Sequence, residues 1–424
     1  VIERHAYDGL VFDGVPLNQI AQAYGTPTWV MSAPTLQARM QRLASAMQGI
    51  AIHYAVKAND HLAVLATLAT EGAGADIVSA GELFRARAAG IPAARIVFSG
   101  VGKTAAELAL ALEEGIGQIN VESAEELHEL SAIAAARGTT ARIALRVNPD
   151  VDAGTLDKIS TGRAGDKFGI PIRGAAGLYA QAARLPGIQP VGLAVHIGSQ
   201  ITGTAAFAAA YAKLAALVAE LRAHGLLVET MDCGGGLGIP YADEPSILPE
   251  AWAACIRNAF GKLDLHLAIE PGRWLVAPAG VLLASVIRTR RHGLTRPIVI
   301  LDAAMNDLAR PAMYGAYHAI VPVGPGAATA ALEPADIAGP VCESSDFFAR
   351  ARLLPPLSPG AMVAILDCGA YGSVMSSTYN ARPWAAQVMI GGPARPGSTA
   401  APSVTLINAR GTVDSLWSGE TVPS

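Results

Sequence analysis

From residue 51 onward, short runs of β-branched and other apolar residues alternate with Ala/Leu-rich runs. Eight candidate strands fall at 51–57, 74–79, 95–100, 117–121, 142–148, 191–198, 230–236 and 264–272. The segments between them, such as TAAELALALEEG and AAFAAAYAKLAALVAELRAHG, place apolar residues at i, i+3, i+4 and i+7 and often close on glycine. That is the period of helices covering one face of a sheet. Ser123 precedes Glu126 by three residues, the spacing of a capping box at a helix start. Eight βα units over about 230 residues predict a closed parallel (β/α)8 barrel rather than an open doubly wound sheet.

Near residue 280 the pattern changes. Helical periodicity fades, and β-like runs appear at 281–290, 296–303, 319–323, 363–371, 386–392 and 403–409, separated by Pro/Gly-rich turns. Together they predict an antiparallel β domain of sandwich or barrel-like form. The N-terminal runs DGLVF and PTWVMS also read as strands. The expected organisation is therefore an α/β barrel at 35–280, inserted into a β domain formed by 1–34 and 281–424.

Composition removes several functional classes. Of 424 residues, 51% are hydrophobic and 16% charged, which excludes a disordered chain and requires a large core. A formal charge of −4 leaves no basic surface for nucleic acid. The mean hydropathy of +0.35 raises the possibility of a membrane span. However, the uncharged stretch from Gly187 to Ala212 includes Gln189, Pro190, His196, Ser199, Gln200 and Thr202, too polar to cross a bilayer. VIERHAYDGL lacks the basic and apolar regions of an export signal, and the four cysteines show no CxxC spacing. A cytoplasmic protein without membrane or nucleic-acid partners is expected, and no motif argues for a metal.

In a parallel barrel, chemistry collects at the C-terminal ends of the strands. Those positions hold Lys57, Asp76 with Ser79, Asn148, His196 with Ser199, Gly234-Gly235-Gly236, and Glu270 with Arg273. Lys57 closes the apolar run HYAVK. It reads either as a lysine emerging into solvent or as a Schiff-base lysine in a partly desolvated pocket. The triple glycine is either a structural turn or a place where backbone N–H groups approach an anion. Beside a strand-end lysine it suggests the single phosphate of pyridoxal phosphate. Glu270 either pairs with Arg273 or protonates a pyridine nitrogen, and His196 is either a core histidine or an imidazole lying on a planar cofactor.

Several motifs then occur in order: YAVKAN (54–59), GADIVSAGEL (74–83), VFSGVGKT (97–104), HIGSQI (196–201), CGGGLGIPY (233–241), EPGR (270–273), RPAMY (310–314), GPVCESSD (339–346) and GAYG (369–372). In these the chain resembles the meso-diaminopimelate decarboxylases, pyridoxal-phosphate enzymes of the alanine racemase-like fold type, from about Tyr7 to the YNARP segment. The resemblance implies Lys57 as the lysine bonded to the cofactor, His196 on its ring and Glu270 at its ring nitrogen. It places Ser199, Gly235, Gly236, Arg273 and Tyr371 around the phosphate, and counts Asp76 and Gly272 among the cofactor contacts. It also implies Arg273, Arg310 and Tyr314 for the substrate's distal carboxylate, with Tyr371 nearby, Glu343 for its distal ammonium, and Cys342 as proton donor. In this family Cys342 and Glu343 act across a homodimer, with active sites shared between subunits.

The implied activity is decarboxylation of meso-2,6-diaminopimelate to L-lysine and CO2, the last step of lysine biosynthesis. Met313, Ser345 and Trp384 depart from the residues the family commonly carries at those positions, but none replaces a group with a chemical role. The nearest alternative is a decarboxylase of another basic amino acid: ornithine, arginine or carboxynorspermidine. Glu343 with Arg310 favours the substrate carrying a second carboxylate.

Overall fold

The computed structural model describes residues 1–154, 161–163, 165–291, 293, 295–325, 331–391 and 402–423. The chain divides into two compact units. One comprises Arg39–Pro240 and Glu244–Leu275; the other comprises Val1–Ala38, Tyr241–Asp243 and Val276–Ser424.

The first unit is the expected barrel. Its strands are Ile50–Ala55, Gly74–Ile77, Ile96–Phe98, Gln118–Val121, Ala141–Asn148, Ile188–Ala194, Thr230–Asp232 and His266–Ile269. Each pairs in parallel with the next, and Leu267–Ile269 of the last pairs with Ile50–Ile52 of the first, closing the ring. Residues 141–148 read BeBBBBBB in burial, as befits a strand covered on both faces. A short strand, Ile170–Pro171, which the pattern did not reveal, pairs with Val147 and Asn148.

Several strands stop earlier than the apolar runs suggest. After Ala55 the backbone turns into a single 3-10 turn, Val56–Ala58, which carries Lys57. The seventh strand ends at Asp232 because Gly234 and Gly236 adopt φ of +68° and +109°, which L side chains rarely accept. The sixth begins before the predicted 191. Pro190 lies within it at a register shift between Pro190 and Gly192, where a missing N–H is tolerated.

At helix starts, Ser123 Oγ accepts from Glu126 N at 3.1 Å as its spacing predicts. Glu126 does not reciprocate to Ser123. It accepts from Glu122 N at 3.1 Å and pairs with Lys103 Nζ at 2.7 Å. The complete reciprocal box is at Thr104 and Glu107, opening Ala105–Glu114.

The second unit is a mixed sheet built around the long strand Gly280–Arg290, which pairs antiparallel with Thr28–Ser32, Ile298–Leu301 and Met362–Ile365. The N-terminal strand Thr28–Ser32 thus joins this sheet, as expected. Two pairings are parallel: Thr28–Ser32 with Ala386–Ile390, and Ile298–Ile300 with Asp336–Ala338. Glu333–Ala338 and Phe347–Leu354 were not legible as strands. The first carries Pro334 and Asp336, and FFARARLL is rich in helix formers; tertiary pairing overrides both preferences. The run 363–371 ends as strand at Ile365, and Asp367 and Tyr371 follow at φ of +56° and +54°. The run 386–392 is strand to Ile390, and its last residue, Gly392, lies outside the described residues. Among the described residues no helix is long and apolar enough to cross a membrane.

Beneath the triple glycine, Phe207 and Tyr211 on one helix (Ala205–Ala223) pack against Trp252 and Phe260 on the next (Pro249–Phe260). Trp252 Nε1 donates to Tyr211 Oη at 2.9 Å, and that hydroxyl donates to the Cys233 carbonyl at 3.0 Å. Tyr211→Phe deprives two buried groups of a partner at once, so it is expected to destabilise the barrel by about 2 kcal/mol. A lowered denaturation midpoint with unchanged far-ultraviolet circular dichroism is the result to look for; an unchanged midpoint contradicts it.

Candidate active site

The barrel's strand ends bring together a lysine, carboxyl groups and an imidazole. Lys57 Nζ donates to Asp76 Oδ2 at 2.7 Å. The Lys57 side chain is 36% exposed, whereas Asp76 is 0% exposed. The lysine therefore stands at the barrel mouth with its charge anchored from below. Asp76 Oδ1 is buried with no hydrogen-bond partner among the described residues, so the ion pair leaves one carboxylate oxygen unsatisfied.

Glu270 follows the last strand and is buried. Ser99 Oγ and Asn120 Nδ2 each reach its Oε1 at 3.3 Å, and Asn120 Nδ2 also donates to Ser99 Oγ at 3.1 Å. Burial raises the Glu270 pKa well above the usual carboxylic range, and the nearby Asp232 and Asp76 carboxylates push it further; Lys57 opposes them. Burial and its carboxylate neighbours thus bias Glu270 towards its protonated form. Burial likewise lowers the pKa of His53, against the pull of Asp232 and Asp76, so the imidazole tends to stay neutral. The barrel interior is wired with charge where a barrel core is ordinarily aliphatic.

His196 is kept neutral by burial first and then by the cations Arg146 and Lys57. Its Nδ1 accepts from Gly235 N at 3.1 Å, so its single proton sits on Nε2. The Gly235 N–H is therefore spent on orienting the imidazole. A Cβ at Gly235 would meet the Glu270 carbonyl oxygen, so this position must be glycine for the seventh and eighth strands to approach. Gly236 accepts from Ile201 N at 2.9 Å, tying the glycine turn to the HIGSQI loop. Arg273 Nη2 donates to Ser199 Oγ at 3.1 Å. A Cβ at Gly272 would stand 3.1 Å from Ala58 Cβ and 3.2 Å from Ala55 Cβ, so Gly272 packs against the turn that carries Lys57.

The remaining candidates lie in the second unit. Arg310 and Tyr314 begin and end the helix Arg310–Tyr314, with Arg310 buried. Cys342 and Glu343 are exposed on the GPVCESSD loop. Cys342 N donates to Asn380 Oδ1 at 2.8 Å, and Glu343 Oε1 accepts from Ser345 N at 3.3 Å and Ser344 Oγ at 3.2 Å. These bonds, the Ser345 backbone one foremost, hold the Glu343 carboxyl below its ordinary pKa. Tyr371 is half-buried at a positive φ of 54°.

Sequence reading missed the residues that hold these groups in place. His53 and Asn120 lie within strands, and Asp232 and Ser99 lie at the true ends of the seventh and third strands, which the longer apolar runs of the sequence conceal. Asp346 closes the cysteine loop. Its Oδ1 accepts from Met305 N at 2.7 Å and its Oδ2 from Val341 N at 2.8 Å. Its place at the end of GPVCESSD was the available signal.

This donor set suits pyridoxal phosphate. It offers a primary amine for an aldehyde, a guanidinium and hydroxyl for a phosphate, a buried carboxyl for a pyridine nitrogen and a neutral imidazole for a ring face. The family model for the pyridoxal-binding domain of pyridoxal-dependent decarboxylases matches residues 34–277. The barrel is thus the cofactor-binding domain of a pyridoxal-dependent decarboxylase.

The diaminopimelate decarboxylase of Zymomonas mobilis is 47% identical over 392 residues, covering 90% of this chain and 92% of its own. That of Pseudomonas aeruginosa is 44% identical over 415 residues, covering 97% of both. The crystal structure of the Helicobacter pylori diaminopimelate decarboxylase complexed with L-lysine matches with a TM-score of 0.89 at 38% identity. That match covers 95% of this chain and 98% of the other. The chain belongs to the diaminopimelate decarboxylase family.

Beside Lys57, burial raises the Glu82 pKa from 4.5 to about 7, against a hydrogen bond from Val78 N and the Lys57 charge. A carboxyl whose folded pKa is raised stabilises the fold below its unfolded pKa and loses that contribution as pH rises through the folded value. Glu82→Gln is therefore expected to gain stability relative to the native chain at pH 8 but not at pH 5. Denaturant midpoints of both proteins at the two pH values check this, and an equal difference at each refutes it.

Proposed function

We propose that this chain decarboxylates meso-2,6-diaminopimelate to L-lysine and CO2, using pyridoxal phosphate bound by the barrel, as the last step of lysine biosynthesis in the cytoplasm. The observation that carries the reading is the mouth of the barrel, where Lys57 is anchored on buried Asp76 and the buried Glu270 carboxyl is held by Ser99 and Asn120. Family membership sets the substrate class. Residues 35–280 serve as the cofactor domain, and 1–34 with 281–424 as the β domain.

When bound, the cofactor's pyridinium ring draws in the electron pair that departure of CO2 leaves on the substrate's α-carbon. The protein's residues supply everything else. Lys57 would hold the cofactor covalently, and Asp76 keeps its amine at the mouth of the barrel. Glu270, held by Ser99 and Asn120, would keep the ring nitrogen protonated. His196, turned by Gly235, presents a neutral ring face. Ser199, Arg273 and Gly236 would hold the phosphate, a role to which Tyr371 is also assigned; Gly235 and Gly272 permit close backbone packing beside them.

Arg310 and Tyr314, with Arg273, take the distal carboxylate, and Glu343 takes the distal ammonium. Cys342 delivers the proton to the α-carbon in place of the lost carboxylate. We propose that Cys342 and Glu343 serve a neighbouring subunit's site in a homodimer. Their exposure on this chain supports that reading.

With cofactor present, CO2 release is expected from meso-diaminopimelate at least about 100-fold faster, by kcat/KM, than from ornithine or arginine. Lys57→Ala should lower kcat by about a thousand-fold or more. Release from ornithine or arginine at a comparable rate would favour the alternative decarboxylases. The shared site has its own test. Mixing inactive Lys57→Ala and Cys342→Ala subunits should restore part of the activity, because one of the two sites in a heterodimer then has both groups intact. No recovery in verified heterodimers contradicts it.

A further inference from the structure

Arg310 is only 6% exposed although it opens a short surface helix. Its Nη1 donates to His318 Nε2 at 2.8 Å, and its Cζ lies 4.8 Å from the centre of the Tyr241 ring. A guanidinium has only donors, so Nε2 of His318 must present its lone pair. The imidazole hydrogen is then on Nδ1, which lies 2.8 Å from the Leu366 carbonyl and donates to it. His318 is 1% exposed. Tyr241 meets its ring edge-on at 5.2 Å and 76°, and Arg352 Nη1 donates to the His318 carbonyl at 2.9 Å. Cys368 Sγ stands 3.5 Å from Nδ1.

These contacts select one tautomer and one ring orientation, and that ring in turn fixes the guanidinium. Neither the neutral imidazole nor the aromatic face adds an anion. Both orient Arg310 without cancelling its charge. An arginine side chain loses several freely rotating torsions on binding a carboxylate; locking it beforehand removes that cost.

We propose that His318, braced by Leu366 and Tyr241, is a positioning residue that pre-sets Arg310 for the carboxylate at the substrate's non-reacting end. This rests on the assignment of Arg310 to that carboxylate. His318 makes no contact with the reacting atoms in this account, so its loss should appear in substrate affinity rather than turnover.

The test compares holoenzyme variants on meso-diaminopimelate. His318→Leu, which fills space without an acceptor, is expected to raise KM about 10- to 100-fold with kcat changed by less than about 3-fold. His318→Gln, whose Oε1 can still accept from Arg310, should return KM to within about 5-fold of native. In an Arg310→Lys background, His318→Leu should add less than about 2-fold, since the group it positions is gone.

A full additive effect overturns the proposal, as does a His318→Leu variant that leaves KM unchanged while Arg310→Lys raises it. A fall in kcat together with loss of cofactor absorbance marks a merely structural role and also overturns it. If Arg310→Lys alone leaves KM unchanged, the assignment of Arg310 itself fails, and this proposal with it. Should His318→Leu not fold, Tyr241→Leu replaces it; a KM rise of a few-fold at constant kcat supports the brace, and no rise refutes it.

Discussion

The structure depends on a constraint at the mouth of the barrel: a lysine amine must be held at the edge of solvent by a carboxylate that has none. Asp76 can be kept in that buried position because Lys57 lies 2.7 Å away, and Lys57 is aimed because Asp76 cannot move. Removing either partner leaves a desolvated or misdirected charge, and a broken buried pair costs far more than the intact pair gains. The first strand ends at Ala55, and the turn Val56–Ala58 carries the amine that meets Asp76.

The same crowding of carboxylates bears on Glu270. Burial, with Asp232 and Asp76 nearby, raises its pKa against the pull of Lys57 and so favours its protonated form. A carboxyl so biased suits a pyridine nitrogen, so a feature that would be a defect in an aliphatic barrel core fits the cofactor of the family. The glycines set the distances. Gly234 and Gly236 end the seventh strand, Gly235 turns His196, and Gly272 brings the last strand's exit against Ala55 and Ala58. In the second unit, Asp346 and Asn380 play the corresponding part for the loop that carries Cys342 and Glu343.

The barrel was legible because its signal is repeated. Eight apolar runs separated by helical periods produce eight strands, and closure is seen in the pairing of Leu267 with Ile50. Strand ends were less legible, since turns such as Val56–Ala58 and the φ of +61° at Gln200 depend on side-chain partners distant in sequence. Strands such as Phe347–Leu354 escaped notice because their pairing, rather than their composition, makes them extended.

Within the site, the charged strand-end residues stood out against apolar runs. Asn120 did not, because a polar residue inside a strand looks alike whether it faces solvent or a carboxyl group; Ser99 and Asp232 did not, because their strands end earlier than the apolar runs that contain them. The role of Gly235 as a donor to His196 required coordinates. So did the arrangement of Arg310, Tyr241 and His318, which joins residues on three separate segments.

The most direct test of the central claim is chemical. The holoenzyme is reduced with borohydride, digested, and the peptide bearing a pyridoxyl phosphate adduct is located by mass spectrometry. One stoichiometric adduct is expected, on Lys57, with a marked loss of labelling in Asp76→Ala. An adduct on Lys103, Lys213 or another lysine, or labelling of Lys57 indifferent to Asp76, would contradict it.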